Sequence, residues 1–214
     1  MNTKYKTIFL DWHNTLSSSL FWDQLKETDH PRHEWYAPMF QCLMVDHRPM
    51  VFEWMRGQVN MFDIVRLLST HCGYPEEIIF ADLQESCETM KLVSDEILPL
   101  VATLRGQGVR CVIATDNMDT FTEFTVPALR LQEHFDAILN SFELKMLKQD
   151  ILDLLQPNIP FFEKYLRTNG LGYDEVLLID DSEYGEMYTR SGLDVFRVAE
   201  SGDVVRRLQE LSLD

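Results

Sequence analysis

Residues 6–16 read KTIFLDWHNTL. The short apolar run KTIFL closes abruptly on Asp11, which reads as a buried strand ending on a carboxylate. The same pattern recurs downstream. VRCVIA (109–114) ends on Thr115, Phe135–Leu139 precedes Asn140 and Ser141, Glu175–Ile179 ends on the pair Asp180–Asp181, and Asp194–Val198 forms a fifth run. Helix-like segments separate these runs, at roughly 95–106, 118–131, 158–169, 183–191 and 203–212. Gly106 and Gly108 stop the first, Gly170 and Gly172 stop the third, and Asn158 with Pro160 suits a helix start. Strand–helix alternation of this kind predicts an α/β fold, a Rossmann-like doubly wound parallel sheet of five strands.

Residues 16–94 do not alternate. They read as helices broken near Pro31, Pro49, Asn60 and Pro75. Asn60 with Asp63 resembles a capped start, Met61, Ile64, Leu67 and Leu68 follow at helical spacing, and Gly73 closes the segment. The expected organisation is therefore a core built from 1–15 and 95–214, split by an α-helical insert over 16–94. The insert holds Trp22, Trp35 and Trp54 and five methionines between 39 and 61. These supply either a small core of its own or an adaptable apolar wall over a pocket.

The chain has 214 residues and a formal net charge of −16, with 45% apolar and 25% charged residues, a globular balance. That acidity excludes a nucleic-acid backbone or an anionic membrane surface as a partner, since both need a basic footprint. MNTKYKTIFLDW carries no secretory pattern, and no segment approaches the ~20 apolar residues of a membrane span. Cys42, Cys72, Cys87 and Cys111 are scattered without a CxxC pair, as expected of reduced, mostly buried thiols in a cytoplasmic protein. His30, His33 and His47 match no zinc spacing and read as surface or loop residues.

In an open α/β sheet, ligands bind outside the carboxyl ends of the strands. Three strand ends then deliver Asp11, Thr115 and Asp180–Asp181 to one crevice. Clustered carboxylates repel unless a cation neutralises them, and an all-oxygen donor set favours Mg²⁺ over zinc. A bound cation would in turn attract a phosphate despite the overall charge.

IFLDWHNTL (8–16) resembles the first motif of the haloacid dehalogenase-like (HAD) hydrolase superfamily, an apolar strand running into DxDGTL. VIATDN (112–117) is similar to the second, and LLIDDSEYGE (177–186) with TRSGL (189–193) to the fourth. The helical insert sits where that family carries a helical cap. The resemblance implies a HAD-like core and a Mg²⁺-dependent phosphatase of a small phosphorylated metabolite, a monomer or homodimer. Asp11 would be the nucleophile that forms an aspartyl phosphate. Asp181 would bind Mg²⁺ with Asp11 and the backbone carbonyl of His13, supported by Asp180 or Glu186. Thr115, Asp116, Asn117 and a lysine would bind the substrate.

Two departures stand out. The family's phosphatases carry a second Asp as acid and base two positions after the nucleophile, where this chain has His13. Its ordinary pKa of ~6.5 suits proton transfer, and nearby carboxylates are expected to favour its charged form. The third motif, which places a lysine directly before Pro, is interrupted. SFELKMLK (141–148) puts Lys148 at the lysine position, but QDILDLLQ (149–156) intervenes before PNIPFFEKYL (157–166). Ile151, Leu154 and Leu155 have helical spacing; Lys145 and Gln156 are the alternatives to Lys148. Against the phosphatase stand a catalytically silent binding protein, or hydrolysis of C–P or C–halogen bonds. The C–P class needs a Schiff-base lysine where the insert offers only Lys26 and Lys91. The metal-like Asp180–Asp181 pair argues against the metal-free dehalogenases.

Overall fold

The computed structural model describes residues 4–150 and 158–213. Five strands, β1 (Thr7–Leu10), β2 (Arg110–Thr115), β3 (Ala137–Asn140), β4 (Val176–Asp180) and β5 (Asp194–Arg197), form one all-parallel sheet in the order β3-β2-β1-β4-β5. The chain builds outward from β1 on one side and then returns to its other side. The order therefore reverses beside β1, and a crevice opens at the carboxyl ends of β1 and β4. Leu10 pairs with both Ile113 and Ile179, which fixes Asp11 as the first residue beyond the sheet.

All four residues of β1 are buried, because helices cover both faces. Alternate residues serve different cores. Phe9, Val112, Ala114 and Leu178 pack with Phe161, Phe162 and Leu166 of α9 (Pro160–Asn169), the rings of Phe9 and Phe162 lying 4.7 Å apart. Ile8, Leu10, Ile113 and Ile179 face the opposite layer.

That opposite layer runs without a break into the helices between β1 and the later strands. These are α1 (His33–Phe40), α2 (Arg48–Met55), α3 (Met61–Cys72) and α4 (Glu76–Glu88), followed by α5 (Ile97–Gly106). Trp22, Leu25, Trp54, Ile64 and Leu83 belong to the same apolar cluster as the sheet face, so the cap shares its core with the sheet instead of forming its own. Asn60 caps α3, accepting from Phe62 N (2.9 Å) and Asp63 N (3.2 Å) while Asp63 accepts from Asn60 N (3.0 Å). Wide helical turns over Gln41–Asp46 join α1 to α2.

The remaining helices are α6 (Val126–Ala128), α7 (Leu131–His134), α8 (Ser141–Leu144), α10 (Gly185–Arg190) and α11 (Ser201–Leu213). The single helix expected over 118–131 instead runs from Asp119 to Ala128, with wide turns over Phe121–Thr125, stops at Leu129–Arg130 and restarts as α7. Pro127 has no amide to donate, and Arg130 takes a left-handed φ of 53°. Phe135 belongs to the core, and β3 starts two residues after it. Ile151, Leu154, Leu155 and Gln156 lie outside the described residues. Among the described residues, no helix is long and apolar enough to cross a membrane, and the four cysteines are free thiols.

Candidate active site

At the end of β1 the amide of Asp11 donates to Ile179 O (3.0 Å), holding the carboxylate at the crevice floor. At the end of β4 Asp180 is pinned from two sides: Ser182 N donates to its Oδ1 (2.7 Å), and Val198 N donates to its carbonyl (2.9 Å). Lys148, in the loop after α8, reaches both. Its Nζ lies 2.9 Å from Asp11 Oδ1 and is ion-paired to Asp180 Oδ2. All three residues are buried, so the ammonium and the carboxylates are tolerable only as partners.

Burial pushes the Asp11 carboxyl up to about 7, with Lys148 opposing and Asp180 adding to the rise. Burial acts the same way on Asp180, but Lys148 and the Ser182 hydrogen bonds prevail and hold it below the usual carboxylate range. For Lys148, burial favours loss of the proton. Asp11, Asp180 and Asp116 outweigh it, and the amine stays charged.

Asp181 is half-buried, and its Oδ2 accepts from Asn14 Nδ2 (3.0 Å). Asn14 holds a left-handed φ of 55°, which Asn tolerates better than most residues, and so turns its amide back to β4. Oxygens of Asp11, Asp180 and Asp181 all lie within 4.8 Å of one another. This all-oxygen set fits a hard divalent cation such as Mg²⁺.

Thr115 sits at the end of β2, and its buried Oγ1 has no hydrogen-bond partner among the described residues. Thr7, Thr15, Thr120, Ser182 and Ser191 also carry unpartnered hydroxyls, and what sets Thr115 apart is its place at a strand end facing the crevice. Asp116 gives an oxygen to the backbone amide of Lys148 (2.9 Å), and burial raises its pKa. Asn117 uses its side-chain oxygen on Met118 N (2.9 Å), and its own amide donates to Ser141 Oγ (2.9 Å).

His13 is half-buried beside the cluster, its Nδ1 without a hydrogen-bond partner. The neighbouring carboxylates Asp181 and Asp23 do favour its charged form, as expected, but burial outweighs them and lowers its pKa. Lys145 turns away from the crevice, donating to Gly57 O (3.3 Å) with its amine 4.2 Å from the Phe142 ring centre. Glu186 also stays outside the cluster. It is exposed on α10, 4.0 Å from Arg190.

Three features went unread in the sequence. Asn14, which braces Asp181, carries no signal in the letters beyond its residue type. Asp119 accepts from Trp54 Nε1 (2.7 Å) and Met61 N (2.9 Å), and Arg56 pairs with Asp150 (2.6 Å). Both of these contacts join residues of the insert to loops of the core. A cleft of ≈ 360 Å³ opens beside Asp181, lined by Asn14, Ser18, Val93, Arg197 and Glu200.

No family model and no curated protein matches this sequence. Solved structures do. A HAD family enzyme from Bacteroides thetaiotaomicron superposes with a TM-score of 0.70 at 16% identity, covering 96% of this chain and 98% of that one. A structure of that enzyme in complex with magnesium and inorganic phosphate gives a TM-score of 0.66 at 16% identity, covering 92% and 96%. The L-2-haloacid dehalogenase of Xanthobacter autotrophicus gives 0.63 at 16% identity, covering 95% and 81%. At these identities the likeness is one of fold: the chain has the HAD-like fold with a helical cap inserted after the first strand.

Proposed function

We propose that this protein is a HAD-like hydrolase, a Mg²⁺-dependent phosphatase of a small phosphorylated metabolite, working through an aspartyl phosphate on Asp11. The observation that carries the reading is Lys148, held between Asp11 and Asp180. The orphaned hydroxyl of Thr115 stands at the neighbouring strand end. A buried cation and a free donor beside a buried carboxylate are what a transferring phosphoryl group requires. The magnesium and phosphate complex of the Bacteroides thetaiotaomicron enzyme, on the same fold, supports the same chemistry.

Asp11 would attack phosphorus, and the ester P–O bond would break. His13, half-buried and two residues on, would give the leaving oxygen a proton and then take one from the water that hydrolyses the aspartyl phosphate. Thr115, Asn117 and Lys148 would hold the phosphoryl oxygens, with Asp116 fixing the lysine's backbone. Asp11, Asp181 and the backbone carbonyl of His13 would hold Mg²⁺, and Asp180 would support it. When bound, the ion offsets the carboxylate charge and draws phosphate oxygens toward Asp11. The cleft that borders Asp181 would receive the leaving group. The protein would act in the cytoplasm as a monomer or homodimer.

Purified protein is expected to release phosphate from at least one member of a phosphorylated metabolite panel, only with Mg²⁺, and Asp11→Asn is expected to abolish release. Retained activity in Asp11→Asn would sink the mechanism. The second reading is a binding protein without turnover, which the depressed proton affinity of His13 favours. Tight binding of a phosphorylated ligand, no turnover in the wild type and turnover restored by His13→Asp would establish it.

A further inference from the structure

We infer that Arg56 is a positioning residue, whose ion pair with Asp150 ties the seating of the cap to the placement of Lys148 between Asp11 and Asp180. The inference rests on the reading of Lys148 as the cation that faces the phosphoryl group.

Lys148 lies in the tight turn Leu147–Asp150, sequence LKQD, which contains no proline to stiffen it. Its backbone is held by side chains instead. Lys148 N donates to Asp116 Oδ1 (2.9 Å). Asp150 closes the turn, with Leu147 N donating to its Oδ2 (2.9 Å) and its own amide donating to Leu147 O (3.0 Å). The same carboxylate receives both arms of Arg56, Nε to Oδ2 at 3.0 Å and Nη2 to Oδ1 at 2.6 Å. A two-pronged guanidinium contact fixes orientation as well as distance.

Arg56 directly follows α2 of the cap, and its neighbours are seated on the same stretch of core. Ser141 Oγ donates to Met55 O (2.7 Å), and Lys145 Nζ donates to Gly57 O (3.3 Å). Three consecutive cap residues thus dock on residues 141–150, and only Arg56 reaches the turn that carries Lys148. A cap shifted off this seat would take Arg56 with it. Asp150 would lose the partner that orients it, and the Lys148 turn would keep its tether to Asp116, its internal Leu147–Asp150 hydrogen bonds and the Nζ contacts with Asp11 and Asp180, but no tie to the cap. Arg56 and Asp150 are each about a third exposed, and pairs so placed add little to global stability. The effect is therefore expected in the position of Lys148 and not in the melting temperature.

The test compares wild type with Arg56→Ala, Asp150→Asn and the double variant. Acylation of each lysine by acetic anhydride is followed by mass spectrometry, with exposed Lys91 and Lys164 as internal references. Buried Lys148 is expected to react about tenfold faster in either single variant, and no faster in the double one, as for two groups acting as a unit. The kcat is expected to fall by about 10²-fold with KM little changed, the mark of lost positioning. Arg56→Lys, which keeps the charge but not the fork, is expected to fall between. Unchanged Lys148 acylation in folded Arg56→Ala overturns the inference; should that variant not fold, unchanged acylation in Arg56→Lys does. Absence of phosphate release by the wild type counts against the phosphatase reading alone, and the acylation rates still decide the tether.

Discussion

Lys148 Nζ stands 2.9 Å from Asp11 Oδ1, with both side chains almost wholly out of water. The cation is the internal partner of a carboxylate cluster. Lys148→Met would leave Asp11 and Asp180 buried without it. Breaking one side of a buried pair costs about 3–5 kcal/mol, and that loss is expected at neutral pH in urea unfolding. Added Mg²⁺ is expected to restore part of it, because the same oxygens suit a divalent cation. An unchanged unfolding midpoint would contradict the ion-pair geometry.

Asp119 joins cap and core from the core side. Its carboxylate accepts from Trp54 Nε1 (2.7 Å), Met61 N (2.9 Å) and Thr120 N (3.0 Å), all buried contacts. Asp119→Ala strands three donors and is expected to destabilise the protein by about 3 kcal/mol or more. Trp54→Phe removes one donor and also leaves a cavity at a fully buried ring, and is expected to cost about 1–3 kcal/mol. Denaturant titrations of the two variants measure both losses.

Gly57 occupies a left-handed φ of 61° where the cap meets α8, and a Cβ there would lie 2.7 Å from Phe142 O and meet the Lys145 amine. Backbone strain alone makes Gly57→Ala worth about 1–2 kcal/mol of lost stability. The backbone contact adds to it, since a carbonyl cannot swing aside as a flexible side chain does. Thermal unfolding should report a lower midpoint. An equal loss from Gly73→Ala, at φ 74° but with open space around it, would mean that strain and not contact sets the cost.

The Arg56–Asp150 pair carries a defined pH signature. Burial raises the Asp150 carboxyl, but the hydrogen bonds from Arg56 and Leu147 and the Arg56 charge prevail, leaving it below the usual carboxylate value. A depressed carboxylate stabilises the fold above its unfolded pKa of ~3.9 and loses that contribution as pH falls through the lower folded value. The stability difference between wild type and Asp150→Asn should therefore be constant from pH 7 to 5 and shrink toward pH 3. At this exposure its full size is below about 1 kcal/mol. A difference that grows on acidification would reverse the assigned sign.

The sheet was legible because each strand is an uninterrupted apolar run that stops on a polar residue. KTIFL before Asp11 and EVLLI before Asp180 carry that signal in adjacent letters. The capped start of α3 was equally plain, because Asn60 and Asp63 act within one turn. The stop at Arg130 was not, since the apolar spacing runs through it and nothing in the letters marks an arginine that takes a left-handed φ. At the site, residues at strand ends could be read, while contacts between distant loops could not. Asp119 with Trp54 and Arg56 with Asp150 are 65 and 94 positions apart, and neither pair leaves a periodic trace. The proton affinity of His13 depended on burial, which letters alone do not reveal.

Lys148 already balances part of the charge at Asp11 and Asp180, so the fold itself does not depend on the Mg²⁺ that the proposed reaction would use. Assembly and activation thus become separate events. A chelator is expected to leave circular dichroism and thermal unfolding nearly unchanged while stopping phosphate release. That is the reverse of a zinc finger, in which losing the ion means losing the fold. If the proposed Mg²⁺-dependent reaction holds, cells short of the ion would accumulate an intact but idle protein, ready to resume work as soon as the ion returns.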